Sequence, residues 1–545
     1  MTGPAAGTRR ALLLRRPGTS RRGQEMASDG DRRRFRSLLS RAQLRAWILD
    51  NKLFAIVLAV GFLLRVDTEL GYQWQMWFND SFTYMSDVIP LRPDVTRPAG
   101  YAIFLKALEP LHSYAPVTIL QHLMGLAVGV MVYALARHRF GAPRWIAALA
   151  TLPVLFDGFQ IELEHLILSD VPFEFLIMLA TTLLLWDRKP TWKRAALIGL
   201  ILGVAETVRS IALPLLPIFL IYILLLRIGW KAFFSALIAC LTPVLLYCTW
   251  FYAVFGQFAM TESTGVFLYS RTMAFADCNK IPNLPADELS LCITTPPSQR
   301  PISQEYIWEN YSPLDRFPPS KFSSLPNHLA EDFAKRAILA QPLDYAQIVA
   351  YDTIRVFEWK RYVYPNAQTY NEYLFGYKSQ PIPGWAHGDV GSYTSPVAYY
   401  IHGNPLTDVV EPFAGGMRVW QRYVFLPGTV YGAILAVGLF GMVLNWRRVG
   451  GPATVPWLIS VALIVAPAAT AEFDYRYVLP AVPFACLAAA MAFGKNTRMG
   501  NWVAAKEAAR AARKAGAGGT AAGSDAEPPA GPKGQELTPG ESTAL

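Results

Sequence analysis

The sequence predicts an all-α polytopic membrane protein: about ten transmembrane helices in two blocks, with a mixed extracytoplasmic domain between them. Three observations carry this prediction. Hydrophobic residues make up 53% of the 545 and charged residues only 17%, with a mean hydropathy of +0.25, a balance rare in water-soluble chains of this length. Apolar runs near membrane length recur along the chain. Aromatic residues are abundant (15 Trp, 25 Tyr, 30 Phe), as expected where many helix ends meet lipid headgroups. The net charge of +10 does not point to nucleic acid, because the basic excess sits in the two tails and in short loops between apolar runs.

In chain order, residues 1–48 form an arginine-rich tail, expected to be cytoplasmic and disordered. It lacks an apolar core followed by a small-residue cleavage site, so no cleaved signal peptide is expected; a start at Met1 or at Met26 stays open. Candidate spans follow at 49–66, 115–136, 144–161, 166–186, 195–208, 211–226 and 232–252, the N-terminal module of 49–252. Three more, at 425–445, 453–470 and 477–494, form a C-terminal module over 425–494. Counting 195–208 and 211–226 as two spans, separated at Arg209, keeps the topology consistent. With the N-terminus inside, the cytoplasmic loops are then the basic ones: Arg137, Arg139 and Arg144; Arg188, Lys189, Lys193 and Arg194; Arg227 and Lys231; Arg447 and Arg448. Lys495 and Arg498 continue the pattern after the last span. Both termini are therefore expected in the cytoplasm, with 67–114 and 253–424 outside. Residues 495–545, rich in Ala, Gly, Pro and charge without an apolar face, are expected to be a disordered cytoplasmic tail.

The outer segment 253–424 is rich in Pro, Tyr and Trp and holds a helical patch near 327–358, where Leu329, Phe333, Ala337 and Ile338 recur at helical spacing. Cys278 and Cys292 lie in it. An exported compartment permits a disulfide between them, the alternative being two reduced thiols. Cys240, Cys248 and Cys486 fall in apolar spans and read as small buried side chains.

This topology gathers the conspicuous ionisable residues on the outer side. Asp80 and Tyr84 lie in NDSFTY, and Arg97 follows in TRPAGY; Glu162, Glu164, His165 and Asp170 lie in ELEHLILSDVPF. Arg209 sits at the junction of two spans, and Glu472, Asp474 and Arg476 in AEFDYRY. Ionisable groups at the edge of hydrocarbon are costly unless paired or solvated, so a functional reading is the default. Each has a plainer reading: Asp80 as a loop carboxylate, Asp170 as a helix cap ahead of Val171-Pro172, and Arg209 as a side chain reaching headgroups. His165 beside two glutamates is the weakest of the set, since a lone His need not bind metal. The cluster argues more strongly than any member.

NDSFTY followed by RPAGYAIFL resembles the first outer loop of the GT-C glycosyltransferase superfamily, above all its bacterial phospholipid carrier-dependent members, akin to protein O-mannosyltransferases and the aminoarabinose transferase of lipid A. In that element Ala99 stands where the family has a second proline. LILSDVPFEFLIMLA, GLILGVAETVRSIALPLLP, VFGQFAMTESTGVFLYSR and RYVLPAVPF are similar to further family segments, over about 50–275 and 420–495. The resemblance implies a GT-C-like bundle in a bacterial cell membrane. It also implies transfer of a sugar from a polyprenyl-phosphate donor to a protein, lipid or cell-wall glycan. No glycine-rich nucleotide fingerprint competes with a lipid donor.

The implied chemistry is displacement at the anomeric carbon with inversion. Asp80 would act as general base with Asp170 also catalytic, Arg97, Arg209 and Arg476 would bind the donor phosphate, and Tyr84 and Tyr101 would contact substrate. Glu164 and Asp170 are the expected pair for a divalent metal, if the reaction uses one. The rival readings are a transporter or flippase of a lipid-linked glycan, an oligosaccharide ligase, and a degenerate scaffold. Against a transporter, no internal repeat stands out and the ionisable residues gather at one face.

Overall fold

The structure, a computed structural model, describes residues 41–447 and 451–521. It is all-helical apart from a two-residue antiparallel ladder in which Tyr72 and Gln73 pair with Val409 and Asp408. The chain divides into two units, the first ending at Ala55 and the second beginning at Ile56. In the first, the helix Arg41–Asp50 occupies the end of the expected tail, and Trp47 meets Phe54 edge-on. The rest of that tail lies outside the described residues.

The second unit corrects the ten-span prediction. Among the described residues, three helices are long and apolar enough to cross a membrane: Ala115–Arg139, Trp230–Phe255 and Gly451–Thr470. The number rises to five if two bent pairs each count as one span: Arg144–Phe156 with Gly158–His165, bent by 51°, and Phe413–Tyr423 with Gly428–Leu444, bent by 60°. The other apolar runs make shorter helices. Residues 211–226 yield the helix Leu213–Leu225 and 477–494 yields Tyr475–Met491, about 20 and about 25 Å long and so short of a bilayer's hydrocarbon thickness of about 30 Å. In each, a tighter 3-10 turn passes into α-helix at a proline, Pro217 and Pro483. The helix Lys52–Gly71 has the length, but Arg65, Asp67 and Glu69 crowd its last turns. Hydropathy summed over a window does not register such breaks, and the other helices described in the unit are either below membrane length or too polar to cross.

Close backbone approach organises part of this bundle. The helices Trp192–Val208 and Trp230–Phe255 pack where Gly199 and Gly203 face the Ala236 and Cys240 carbonyls, and a Cβ on either glycine would lie about 2 Å from a carbonyl oxygen.

The expected mixed domain is likewise helical. Its core joins Val266 and Tyr269 of Thr264–Thr272, and Met273 just after it, to Leu329, Phe333 and Ala337 of Ser324–Ala340. Cys278 and Cys292 are bonded to each other at its edge. Beneath it, Arg271 and Asp352 form a buried ion pair at 2.9 Å. Residues 498–521, expected to lack regular structure, lie in the helix Arg498–Ala521, whose alanine-rich sequence favours helix without an apolar face.

Candidate functional site

The site begins where the chain leaves the two-residue ladder. Phe78 is extended, its N–H donates to the Ser81 hydroxyl at 3.0 Å, and the helix Asn79–Val88 starts with Asp80 in its first turn. Farther on, Asp94 accepts from the backbone N–H groups of Thr96 and Arg97, a turn that aims the Arg97 side chain back at this helix. Arg97 Nη2 donates to Asp80 Oδ1 at 2.7 Å, and Arg476 Nη1 lies 2.8 Å from Oδ2. Both carboxylate oxygens are thus held by guanidinium groups, one from 17 residues away and one from the far end of the chain.

Aromatic rings fix these arginines. The Arg97 guanidinium lies over Tyr84 and over Trp308 of the 264–340 domain, and that of Arg476 over Phe78 at 4.5 Å. Asp474 caps the helix Tyr475–Val478, pairs with Arg476 Nε at 3.3 Å and accepts from the Tyr373 hydroxyl. Asp170 opens the helix Asp170–Trp186 and pairs with Arg209, which follows the helix Trp192–Val208. Tyr84 exchanges a hydrogen bond with Ser169 at 2.8 Å and meets Tyr101 edge-on. Tyr101 is fully buried and donates to Gln121 at 2.8 Å, so it backs Tyr84 from behind.

Burial by itself pushes the Asp80 pKa up, but Arg476 and Arg97, with a smaller contribution from Arg209, outweigh it and hold the carboxyl below its usual range. Nearby Glu372 accepts from the Asn79 N–H at 3.0 Å and is pushed up to about 7 by burial. Glu472, which accepts from Tyr364 and from the Gln304 N–H, is raised to about 7 for the same reason.

The structure therefore brings Asp80, Tyr84, Arg97, Asp170, Arg209 and Arg476 into one connected set with Tyr101 behind it. It does not pair Glu164 with Asp170 as metal ligands. Glu164 is gripped at both oxygens by Arg65, at 2.6 and 2.7 Å, and accepts from His122. Among the described residues, the group with metal-ligand spacing is Glu69, His122 and His165, whose donor atoms lie within 4.8 Å of one another. This largely buried Glu/His/His group can coordinate a metal. Sequence reading did not single out Arg65, Glu69 or His122. His122 is an ionisable residue in an otherwise apolar helix, and Arg65 and Glu69 are charges at the end of an apolar run; that was the signal available. A separate cleft lined by Lys360, Arg361, Arg418 and Arg422 shares no residue with the Asp80 set.

An all-helical, membrane-associated protein with carboxylates clamped by arginines beside its apolar helices is the class that fold and site define. Residues 109–212 match the PMT family, described as dolichyl-phosphate-mannose-protein mannosyltransferase. The matched segment carries His122, Glu164, His165, Asp170 and Arg209, and it ends before Arg476 and begins after Asp80 and Arg97. It links this part of the chain to a glycosyltransferase family. No curated protein and no solved structure matches the chain.

Proposed function

We propose that the protein is a glycosyltransferase that moves a sugar from a polyprenyl-phosphate donor to an acceptor hydroxyl on the extracytoplasmic side of the bacterial cell membrane. The observation that carries this reading is Asp80 held between Arg97 and Arg476, with the Asp170–Arg209 pair joined to it through Tyr84 and Ser169. A phosphate-bearing donor would compete with Asp80 for the two guanidinium groups, which suit phosphate as well as carboxylate. Releasing Asp80 from them raises its basicity, so donor binding itself would arm the base.

The acceptor oxygen then attacks the anomeric carbon while its proton passes to Asp80. The bond from that carbon to the phosphate oxygen breaks, and the charge gathering on the leaving phosphate falls to Arg97, Arg476 and Arg209. One displacement without a covalent enzyme intermediate gives inversion. Asp170 keeps Arg209 in place, and Tyr84 with Tyr101 behind it forms the wall of the site. The Cys278–Cys292 bond supports the outer side, because disulfides persist in oxidising compartments and Trp308 of the same domain lies against Arg97.

The test is transfer in membranes expressing wild type or Asp80→Asn, supplied with extracted radiolabelled polyprenyl-phosphate sugars. Wild type should move label to an acceptor, and an equally expressed variant should not. Unchanged transfer by the variant removes Asp80 from the chemistry. No transfer by wild type from a competent donor and acceptor pool removes the glycosyltransferase reading.

A further inference from the structure

The hydrogen bonds of the Glu69–His122–His165 group leave electron pairs facing one another with no proton between them. His122 Nδ1 lies 2.9 Å from a Glu164 oxygen, and that carboxylate, already accepting from Arg65, can only accept again. The His122 proton is thereby placed on Nδ1, leaving a lone pair on Nε2. His165 Nε2 lies 2.6 Å from the Tyr72 carbonyl, which also can only accept, so its proton is on Nε2 and its lone pair on Nδ1. These two bare nitrogens are 3.2 Å apart. Glu69 Oε1 stands 3.8 Å from one and 3.9 Å from the other.

Both Glu69 carboxylate oxygens are buried without a hydrogen-bond donor. Thr118 lies beside this carboxylate, but its one proton is directed at the Trp74 or Ala115 carbonyl. A single extra proton shared by the two imidazoles would still leave Glu69 without a partner. Three electron-pair donors converging in a dry setting call for a cation.

We propose that Glu69, His122 and His165 hold a zinc ion, in a site that shares no residue with the Asp80 pairings. The point equidistant from three atoms at these separations is about 2.1 Å from each, the length of a zinc–imidazole or zinc–carboxylate bond. Two imidazoles and one carboxylate suit zinc and disfavour magnesium and calcium, which take oxygen. The outer partners also fit: each ligating imidazole gives its other N–H to a carboxylate or a carbonyl, which fixes tautomer and ring orientation. Three protein ligands leave a further position on the ion open to water.

The ligands come from three helices, Lys52–Gly71, Ala115–Ala134 and Gly158–His165. Backbone bonds from the Met76 N–H to the His165 carbonyl and from the Ile167 N–H to the Met76 carbonyl continue the tie. Met76 is four residues before Asp80 and His165 five before Asp170, so the ion clamps the roots of both carboxylate-bearing segments. Its role is positioning, independent of which group is transferred.

The first experiment is metal content of the full chain, purified without chelator and equilibrated with zinc. Wild type should carry about one zinc per chain. Glu69→Ala and His122→Ala should lose it, while Asp80→Asn and Asp170→Asn should keep it. A wild-type chain that binds no zinc, or ligand variants that bind as much as wild type, overturns the site. Because a ligand variant can fail to fold, X-ray absorption at the zinc edge of wild type gives a second reading. A first shell of nitrogen and oxygen at about 2.0–2.1 Å with imidazole scattering supports the assignment, and a thiolate shell at about 2.3 Å overturns it. Neither measurement depends on a sugar donor.

Discussion

Two polar clusters flank the segment between His165 and Asp170, and they are filled in opposite ways. Asp80, Asp170 and Asp474 each meet a guanidinium: Arg97, Arg476 and Arg209 bring positive charge, and these pairs are close to neutral as they stand. Around Glu69 the groups are acceptors facing acceptors, with Arg65 of the same helix committed to Glu164. The first cluster can admit an anion only by exchange, since a phosphate must draw arginines away from Asp80. The second can admit a cation without displacing anything. Charge saturation suits a site that opens when substrate arrives, and unshared electron pairs suit one that is filled once and stays filled.

The sharpest way to break this comparison is Asp80→Asn, expected to lower transfer by about 10²–10⁴-fold in the radiolabel assay. Zinc content should not change; if both fell together, the clusters would not be independent. Next, Arg65→Met strips Glu164 of its buried partner and should cost about 3–5 kcal/mol of stability, the usual penalty for orphaning a buried charge. Thermal unfolding of purified protein would show it, together with weaker zinc retention, because His122 loses its fixed partner. An unshifted midpoint would mean that Glu164 is held by other groups.

The smallest effect concerns pH. Glu372, with its pKa raised to about 7 from 4.5, keeps a proton in the folded state that the unfolded chain gives up. Its stabilisation is fully present below the unfolded value and is lost as pH rises through the folded one. Glu472 acts in the same direction. Asp80, whose pKa is lowered, acts oppositely, and its contribution is lost as pH falls below 3.8. The melting temperature should therefore decline between about pH 4.5 and pH 7, and Glu372→Gln with Glu472→Gln should flatten that decline. A decline of equal slope in the double variant would assign it to other groups.

The two clusters also differ in how far the sequence revealed them. Asp80, Asp170, Arg209 and Arg476 lie at helix ends and Arg97 in the bend before a helix, within short motifs where a charge beside an apolar run draws attention, and the structure brings them together. Their sequence separations gave no hint of who pairs with whom: Arg476 reaches Asp80 across almost the whole chain. Arg65, Glu69 and His122 are inside helices, where one polar residue per turn looks like an exception to an apolar pattern. His165 was visible but unconvincing without His122, which only folding brings to it.

The span count failed for a related reason. Hydropathy registers that residues 144–161 are apolar, but not that the chain bends by 51° between Phe156 and Gly158, with Asp157 capping the next helix. The helix following Ser323 was legible because its apolar residues recur on one face of a helix exposed on the other, the setting in which periodicity works.

Gly125 shows what such packing means for reading natural variation in this chain. A Cβ there would sit 2.0 Å from Glu164 Oε1, so the helix Ala115–Ala134 can pass Glu164 only because this position is bare. Glycine to alanine is among the mildest substitutions on any exchange scale, and inside an apolar helix it raises helix propensity. By hydropathy the variant would be invisible. It would nonetheless push against the carboxylate that Arg65 and His122 share, and so a benign-looking allele at this codon would carry a defect expressed some forty residues away.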